Sequence, residues 1–481
     1  MREEVDENKM CYEYDKVDKY SIERYAKRLL DRSLNDITND VIYEHTINIS
    51  EKSKGRLGNI VEQEYFGYKI NSKKEADFKE AGVELKVCPI KQIKEKPSSN
   101  TIRGKLGYSA KERIVLSIID YNQLNEENWE HNSLMKKCGQ LLLMFYMYKK
   151  DINPRDLKFK IISLWKPSHE DLKIIERDWN IISQKVKHGK AHEISEGDTM
   201  YLGACTKGST AEKSKREQPN SHIKAPQRAF SYKRSYVDYI IEEILQKQRG
   251  KRKITSVLSD QNLIFDEKVY RVFNSLLGKS VSDIIVKYSI NRERKAKNFI
   301  RLIVDDVCKH VFGNKLENFD EFKKANIEIK TILLRPDGMP KESMSFEQID
   351  YCEMANQEWE HSVIRERFEN KKYLWIVFRS KVKFKNQKDL SLDDISLCKV
   401  MFWNMPISDL NGSMYRVWLD TKNKIIDGKY DDFIKISDNE ISHIRPKAKD
   451  SKDLVISPQG DFQPKKSFWL NARYIKEQLK I

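Results

Sequence analysis

Residues 58–62, Gly-Asn-Ile-Val-Glu, and residues 77–86, Asp-Phe-Lys-Glu-Ala-Gly-Val-Glu-Leu-Lys, decide the fold of the first half of this chain. The first segment opens a predicted helix over 58–66, and Val83–Val87 has the pattern of a strand. Glu84 and Lys86 are two apart on that strand, so they share one face. A turn-like segment can return Asp77 to Glu84, and Glu62 can approach from the helix.

The elements around these segments mix two periodicities. Strands are predicted at 114–119, 141–147 and 157–164, and an amphipathic helix is predicted at 169–186. This mixture favours an α/β or α+β domain in which a mixed sheet is flanked by helices.

The second half of the chain repeats the first in the same order, which indicates a duplicated domain. The repeated motifs are Leu29–Ile37 and Leu276–Ile284, Ala81–Lys86 and Ala325–Lys330, Ile119–Tyr121 and Ile349–Tyr351, and Leu164–Trp165 and Phe402–Trp403. We therefore predict an N-terminal domain at 1–245, a basic linker at 246–256 and a C-terminal domain at 257–481.

The amino-acid composition favours some classes of protein and excludes others. The 481 residues carry 89 Lys and Arg against 73 Asp and Glu, a net charge of +16, which favours a nucleic acid partner over the alternative of a merely basic soluble protein. The sequence contains no apolar run long enough for a membrane span and no signal-peptide pattern. Seven Cys without a C-x-x-C motif suit reduced thiols in a cytoplasmic protein and argue against structural zinc.

The acidic residues Glu62, Asp77 and Glu84, together with Lys86, suit the hydrolysis of a phosphodiester bond. Convergent carboxylates can hold Mg²⁺, and a nearby Lys can orient water and offset developing charge. The alternative is a solvated strand face, because the Glu-x-Lys triplet alone also occurs elsewhere in the chain.

Four segments, Lys54–Glu62, Asp77–Lys86, Tyr201–Lys207 and Arg228–Lys233, resemble the MutH family. The chain is most similar to the two-copy MutH-like type II restriction endonucleases that cleave at GATC. The resemblance implies two tandem domains of the MutH-like restriction-endonuclease fold. It also implies a cutting N-terminal domain and a C-terminal domain that binds a second site as an allosteric effector, the type IIE arrangement.

The same resemblance assigns the catalytic roles to Glu62, Asp77, Glu84 and Lys86, with Asp77 and Glu84 as ligands of Mg²⁺. The chain departs from MutH by one extra residue between Glu62 and Gly67, so that Glu64 competes for the role of Glu62.

Base-reading segments are also implied by the resemblance. Lysine can contact guanine in the major groove, and an aromatic ring can wedge at a base step, although Phe230 could equally be a core residue. Cys205 stands where MutH-type sequences carry Arg, and the loop 91–110 is a predicted DNA-clasping loop. The predicted DNA-binding residues are Lys207, Phe230, Tyr232 and Lys233, with Arg445, Lys447 and Phe468 in the second copy.

The second copy of the acidic site is altered. At a constant offset its members are Asp306, Glu321, Glu328 and Lys330, so that Asp and Glu are exchanged at the first two positions. Metal sites tolerate such a shift of a carboxylate badly. We therefore predict that this domain reads DNA and does not cut it.

The resulting hypothesis is a Mg²⁺-dependent type II restriction endonuclease that makes double-strand breaks at GATC. The alternatives are a non-cleaving DNA-binding regulator and a MutH-like nickase of mismatch repair. A restriction enzyme implies a companion methyltransferase in the host. We expect a monomer in solution that dimerises on DNA or loops between two sites.

Overall fold

A computed structural model describes residues 14–38, 56–68, 75–92, 107–207, 214–248, 264–294, 296, 298–359, 362–438, 440–450 and 452–480. The chain divides into two compact units, Met1–Ile254 and Thr255–Ile481. Most of the predicted linker 246–256 and most of the predicted loop 91–110 lie outside the described residues. Within the described part of the chain, no helix is both long and apolar enough to cross a membrane.

The first unit combines seven described α-helices with nine strands. The helices are α1 Lys19–Ala26, α2 Leu34–Thr38, α3 Arg56–Ile60, α4 Tyr121–Glu126, α5 Ser133–Cys138, α6 His169–Lys187 and α7 Arg234–Gln248. The strands are β1 Glu84–Gln92, β2 Tyr108–Ala110, β3 Ile114–Ile118, β4 Leu141–Met147, β5 Phe159–Trp165, β6 Leu202–Thr206, β7 Lys215–Gln218, β8 Ser221–Pro226 and β9 Arg228–Tyr232.

The main sheet of this unit has the strand order β2-β1-β4-β5. Strand β1 runs parallel to β4, with Glu84 beside Leu141, and antiparallel to β2. A second sheet, β3-β9-β6, is antiparallel, and β7 and β8 form a separate ribbon. Buried residues such as Ile22, Ile60, Phe78 and Leu142 form one core cluster of this unit. The mixed-sheet α/β class predicted from the sequence is confirmed.

The second unit contains the remaining helices and strands. The helices are α8 Phe265–Asn274, α9 Val281–Lys287, α10 Phe299–Phe312, α11 Asp320–Lys324, α12 Tyr351–Asn356, α13 Val363–Asn370, α14 Ile407–Asp409, α15 Tyr415–Ile426 and α16 Ala472–Leu479. The strands are β10 Ile327–Leu334, β11 Met344–Gln348, β12 Lys372–Ser380, β13 Ile395–Trp403, β14 Ser442–Pro446, β15 Leu454–Ile456, β16 Phe462–Pro464 and β17 Lys466–Leu470.

The sheets of the second unit follow the plan of the first. The order β10-β12-β13 matches β1-β4-β5, with β10 parallel to β12 and Glu328 beside Tyr373. The order β11-β17-β14 matches β3-β9-β6, and β15 pairs with β16 as β7 pairs with β8.

The repeat extends to single contacts. Asp120 and Asp350 cap α4 and α12 by accepting backbone N–H groups of the first turn. The Tyr121 hydroxyl donates to the carbonyl of Pro226 at 2.5 Å, and the Tyr351 hydroxyl donates to that of Pro464 at 2.8 Å. The two units are therefore two versions of one fold.

Candidate active site

Three of the four predicted catalytic residues meet at the start of β1. The Lys86 ammonium donates to Glu84 Oε1 at 2.6 Å, because the two side chains share one face of the strand. The backbone N–H of Asp77 donates to Glu84 Oε2 at 3.2 Å, and Asp77 Oδ2 accepts the N–H of Leu85 at 3.0 Å. A bridge between Phe78 and Val83 closes the turn that brings Asp77 back.

Glu62 approaches this group from a π-helical turn. The turn Val61–Tyr65 continues α3, and Phe66 donates its N–H to the carbonyl of Val61, five residues earlier, at 3.0 Å. A π-helical turn accommodates one residue more than an α-helix would. Burial, together with the charges of Asp77 and Glu84, raises the pKa of Glu62 to about 7, so its carboxylate shares their electrostatic environment.

Glu64, the competing residue, has a different partner. Its carboxylate forms an ion pair with Arg155, which lies in the turn before β5. Burial raises the pKa of Glu64, and the charge and hydrogen bond of Arg155 oppose that rise. The geometry therefore favours Glu62 over Glu64.

Lys137 is a fifth member of the site that the sequence reasoning missed. It lies near the end of α5, and its Nζ is 3.6 Å from Glu84 Oε1. The sequence carried a signal for it, because Lys136 and Lys137 stand just before the apolar strand β4, which is parallel to β1.

The site holds three carboxylates and two ammonium groups, which are partly buried. Burial raises the pKa of Glu84, assisted by Asp77, even though Lys86 and Lys137 act in the opposite direction. Burial would lower the pKa of Lys86, but the charge and hydrogen bond of Glu84 together with the charges of Cys138 and Asp77 outweigh it and the pKa is raised, so Lys86 stays protonated at neutral pH. The carboxylates and Lys86 therefore influence each other's charge states.

The donor set fits a hard divalent cation. Mg²⁺ takes oxygen ligands and commonly binds through one or two carboxylates plus waters and substrate phosphates. Among the described residues no three acidic, His or Cys side chains are already arranged as a complete cage. Glu84 instead faces ammonium groups, and Asp77 accepts a backbone N–H, so these carboxylates would exchange those contacts for a metal.

The predicted aromatic DNA contacts lie in the protein core, which corrects that prediction. Phe230 is 4% exposed and Tyr232 1% exposed on β9, the central strand of its sheet, and Tyr232 packs edge-on against Trp165 and Tyr236. Phe468, on the equivalent strand β17, is 5% exposed. Rings that are buried in this way cannot reach a base step without unfolding part of the domain.

The two predicted DNA-binding lysines of the first domain differ in how deeply they are buried. Lys233 is buried, and its ammonium donates to the carbonyls of Glu196 and Thr199, so it has a structural role and its predicted DNA contact is also corrected. Lys207 follows β6 and is only partly buried, with its N–H bonded to the carbonyl of Gln227 at 2.7 Å. Lys207 is therefore partly accessible to solvent, unlike Lys233.

Two of the residues predicted to read DNA in the second domain occupy the matching strand end. Lys447 donates its N–H to the carbonyl of Lys465 at 2.9 Å, as Lys207 does to Gln227, and its ammonium donates to the carbonyl of Phe346. Arg445 is exposed, and its guanidinium lies 3.9 Å from the centre of the Trp469 ring.

The acidic site of the second domain has a different charge balance. Glu328 accepts from Lys330 at 2.6 Å, from Lys371 at 2.7 Å and from Arg367 at 3.1 Å. Burial would raise the pKa of Glu328, but the charges of Lys330 and Lys371 outweigh it and lower the pKa to about 2. Glu328 is therefore a carboxylate held among cations.

The other two acidic positions of the second domain have separate surroundings. Asp306 on α10 accepts two bonds from Arg292, at 2.6 and 3.0 Å, and a third from Lys309. Glu321 is buried on the short helix α11, where the first domain has a non-helical turn around Asp77. The arrangement of the first site is not reproduced around Glu328.

Comparisons with known proteins agree with these two related domains. The profile of the DNA mismatch repair enzyme MutH matches residues 66–178 and again residues 313–410. The type II restriction enzyme Sau3AI of Staphylococcus aureus is 33% identical over 475 residues, which cover 89% of this chain and 93% of that protein. The DNA mismatch repair protein MutH of Shewanella amazonensis is 27% identical over 37% of this chain and 74% of its own length.

Proposed function

The chain belongs to the family of MutH-like type II restriction endonucleases and is a site-specific deoxyribonuclease, and from this premise we propose how its two domains divide the work. The N-terminal domain cuts both strands of DNA at GATC with Mg²⁺, and the C-terminal domain binds a second GATC site as an effector. The observation that supports this division is the difference between the two equivalent glutamates. The pKa of Glu84 is raised, whereas the pKa of Glu328 is lowered by the cations around it.

In the cutting domain, Glu62, Asp77 and Glu84 would hold Mg²⁺, which when bound neutralises charge on the scissile phosphate and lowers the pKa of the attacking water. Lys86 is protonated at neutral pH because its pKa is raised. Its ammonium can orient water and stabilise charge on the phosphate oxygens. Lys137 approaches Glu84 from α5 and adds a second positive charge near the same carboxylate.

Each chain offers one such site to the two strands of a duplex. We therefore expect two chains to meet on DNA, or one chain to act on a loop that joins two sites. A host methyltransferase that protects its own GATC sites is the functional companion of such an enzyme.

The test is digestion of unmethylated plasmid DNA by the wild type, by Glu84→Ala and by the matched variant Glu328→Ala, with the fragment ends sequenced. Wild type and Glu328→Ala are expected to give linear fragments that end at GATC, and Glu84→Ala none. Nicked circles would instead favour a nickase. Binding of GATC duplex without any cutting by the wild type would favour a regulator.

A further inference from the structure

We propose that the altered acidic site of the C-terminal domain binds a phosphate of the DNA backbone directly, without a divalent cation, through Lys330, Arg367 and Lys371. The inference rests on the proposed effector function and specifies how the second duplex is held. A catalytic metal site would thus have become a metal-independent phosphate site.

The three cations converge from three elements. Lys330 lies on β10, Arg367 on α13, and Lys371 immediately before β12. All three contact Glu328, at 2.6, 3.1 and 2.7 Å. Arg367 also pairs with Glu347 and lies 3.1 Å from the Tyr373 hydroxyl, which fixes its orientation. The cluster is therefore built into the fold and does not depend on loose surface side chains.

The electrostatics of the cluster favour an anion. Burial lowers the pKa of Lys371, and Arg367 and Lys330 lower it further, although Glu328 acts in the opposite direction. Burial also lowers the pKa of Lys447, and again Lys330 and Arg367 contribute. Lys330 and Arg367 thus lie close enough to Lys371 and Lys447 to disfavour the charged forms of these two lysines, and a phosphate would relieve that repulsion. A divalent cation would add to it.

Lys330 and Trp469 line the same cavity, and Trp469 lies on β17, which pairs with β14, the strand that carries Arg445. Lys330 lines a cavity of about 390 Å³ together with Lys341, Ser343, Ser345 and Trp469. The guanidinium of Arg445 stacks on the same Trp469 ring at 3.9 Å. Phosphate contacts fix the register of a protein on the duplex while base contacts select the sequence. A phosphate held at Lys330 would therefore position the duplex for Arg445 and Lys447.

The domain provides a matched control for Lys371. Its side chain is 24% exposed and 2.7 Å from Glu328, and Lys424 is 25% exposed and 2.8 Å from Asp420. Both lysines thus lose a comparable ion pair on substitution by Ala. Lys424 makes that pair within α15, apart from the cluster. The two substitutions therefore differ mainly in whether the cluster is affected.

The experiment titrates a fluorescent GATC duplex into the full-length Glu84→Ala protein in EDTA and counts the duplexes bound per chain. We expect two duplexes, and Lys371→Ala should weaken one of them about eightfold at ~0.1 M salt, with the salt dependence reduced by about 0.9 in log–log slope. Lys424→Ala should bind like the parent. Glu328→Gln, which removes a negative charge, should tighten the same duplex and steepen its salt dependence.

The outcomes separate the two proposals. If only one duplex binds per chain, the effector function is wrong, and the phosphate site is wrong with it. If two duplexes bind but Lys371→Ala behaves like Lys424→Ala, only the phosphate site is wrong. A Glu328→Gln protein that binds the second duplex more weakly, or a second duplex that requires Mg²⁺, would overturn the phosphate site independently of whether Lys371→Ala folds.

Discussion

Glu84 and Glu328 hold equivalent places in two parallel strand pairs, and each has a lysine two residues later. Around Glu84 the additional charged residues include the carboxylate of Asp77 as well as Lys137, and burial prevails, so the pKa is raised. Around Glu328 they are basic, and the pKa falls to about 2. A short motif therefore does not determine its own chemistry, because the charges contributed by neighbouring elements decide whether the carboxylate attracts a cation.

The choice between Glu62 and Glu64 can be tested with matched substitutions. We expect Glu62→Gln to reduce the rate of plasmid cleavage more than about a hundredfold, since loss of a metal-binding carboxylate exceeds the usual cost of disturbing residues around a metal. Glu64→Gln should cut at close to the wild-type rate, because its partner is Arg155. Thermal unfolding of both variants serves as the control. Equal loss of cleavage in two folded variants would contradict the assignment.

The raised pKa of Glu62 predicts a dependence on pH. The pKa of Glu62 in the folded protein, about 7, lies above the ordinary value of 4.5. This carboxyl therefore contributes to the stability of the metal-free folded protein fully below the ordinary pKa, and that contribution is lost as the pH rises through the folded pKa. Mg²⁺ should compete with the proton, so that the half-saturating Mg²⁺ concentration falls about tenfold per pH unit below about pH 7 and levels off above it. A flat profile in single-turnover cleavage would contradict this, and Glu64→Gln should retain the wild-type profile.

The π-helical turn Val61–Tyr65 shows what the sequence could predict at the scale of elements and what it could not. The extra residue before Gly67 was visible in the sequence, but its consequence depends on which hydrogen bonds absorb it. A change of hydrogen-bond partner by one residue rotates every later side chain. Only the packed structure decides that Glu64 meets Arg155.

The strands show which features the sequence could predict and which it could not. Strands 114–119 and 141–147 were predicted within one residue of their observed bounds, because runs of mostly apolar residues mark them. The same patterns could not tell that β9 is central in its sheet, with Phe230 and Tyr232 buried. Sheet order depends on pairings between distant segments. The resemblance to the MutH family implied a DNA contact in this segment without indicating where its strand lies in the sheet.

The strand ends give a paired prediction. We expect Lys207→Ala to weaken cleavage at GATC by about 1–3 kcal/mol in transition-state free energy, about 5- to 150-fold, if it contacts a base, with little change in stability. Phe230→Ala should destabilise the domain by about 3–5 kcal/mol, as removal of a buried ring does. Chemical unfolding and cleavage assays on both variants separate the two roles. A Phe230→Leu protein that folds normally but loses site selection would contradict the core assignment.

At the scale of the whole molecule, the proposed division of roles gives one chain two DNA-binding domains with one cutting site. We expect a plasmid with a single GATC to be cut slowly and to be cut faster when an uncleavable GATC duplex is added. Arg445→Ala should remove the stimulation while leaving slow cutting intact, because the residue belongs to the second domain. Equal rates on one-site and two-site plasmids would argue against an effector. An unrelated duplex of the same length is the control.

The stacking of Arg445 on Trp469 has an optical consequence. Indole fluorescence responds to nearby charge, and the guanidinium must leave the ring if it is to reach a guanine. The emission maximum of Trp469 would then shift in wavelength when the second duplex binds. The signal of Trp469 can be isolated as the difference between the wild type and Trp469→Phe. The protein would carry its own spectroscopic reporter of effector occupancy, readable in real time and before any bond in the DNA is broken.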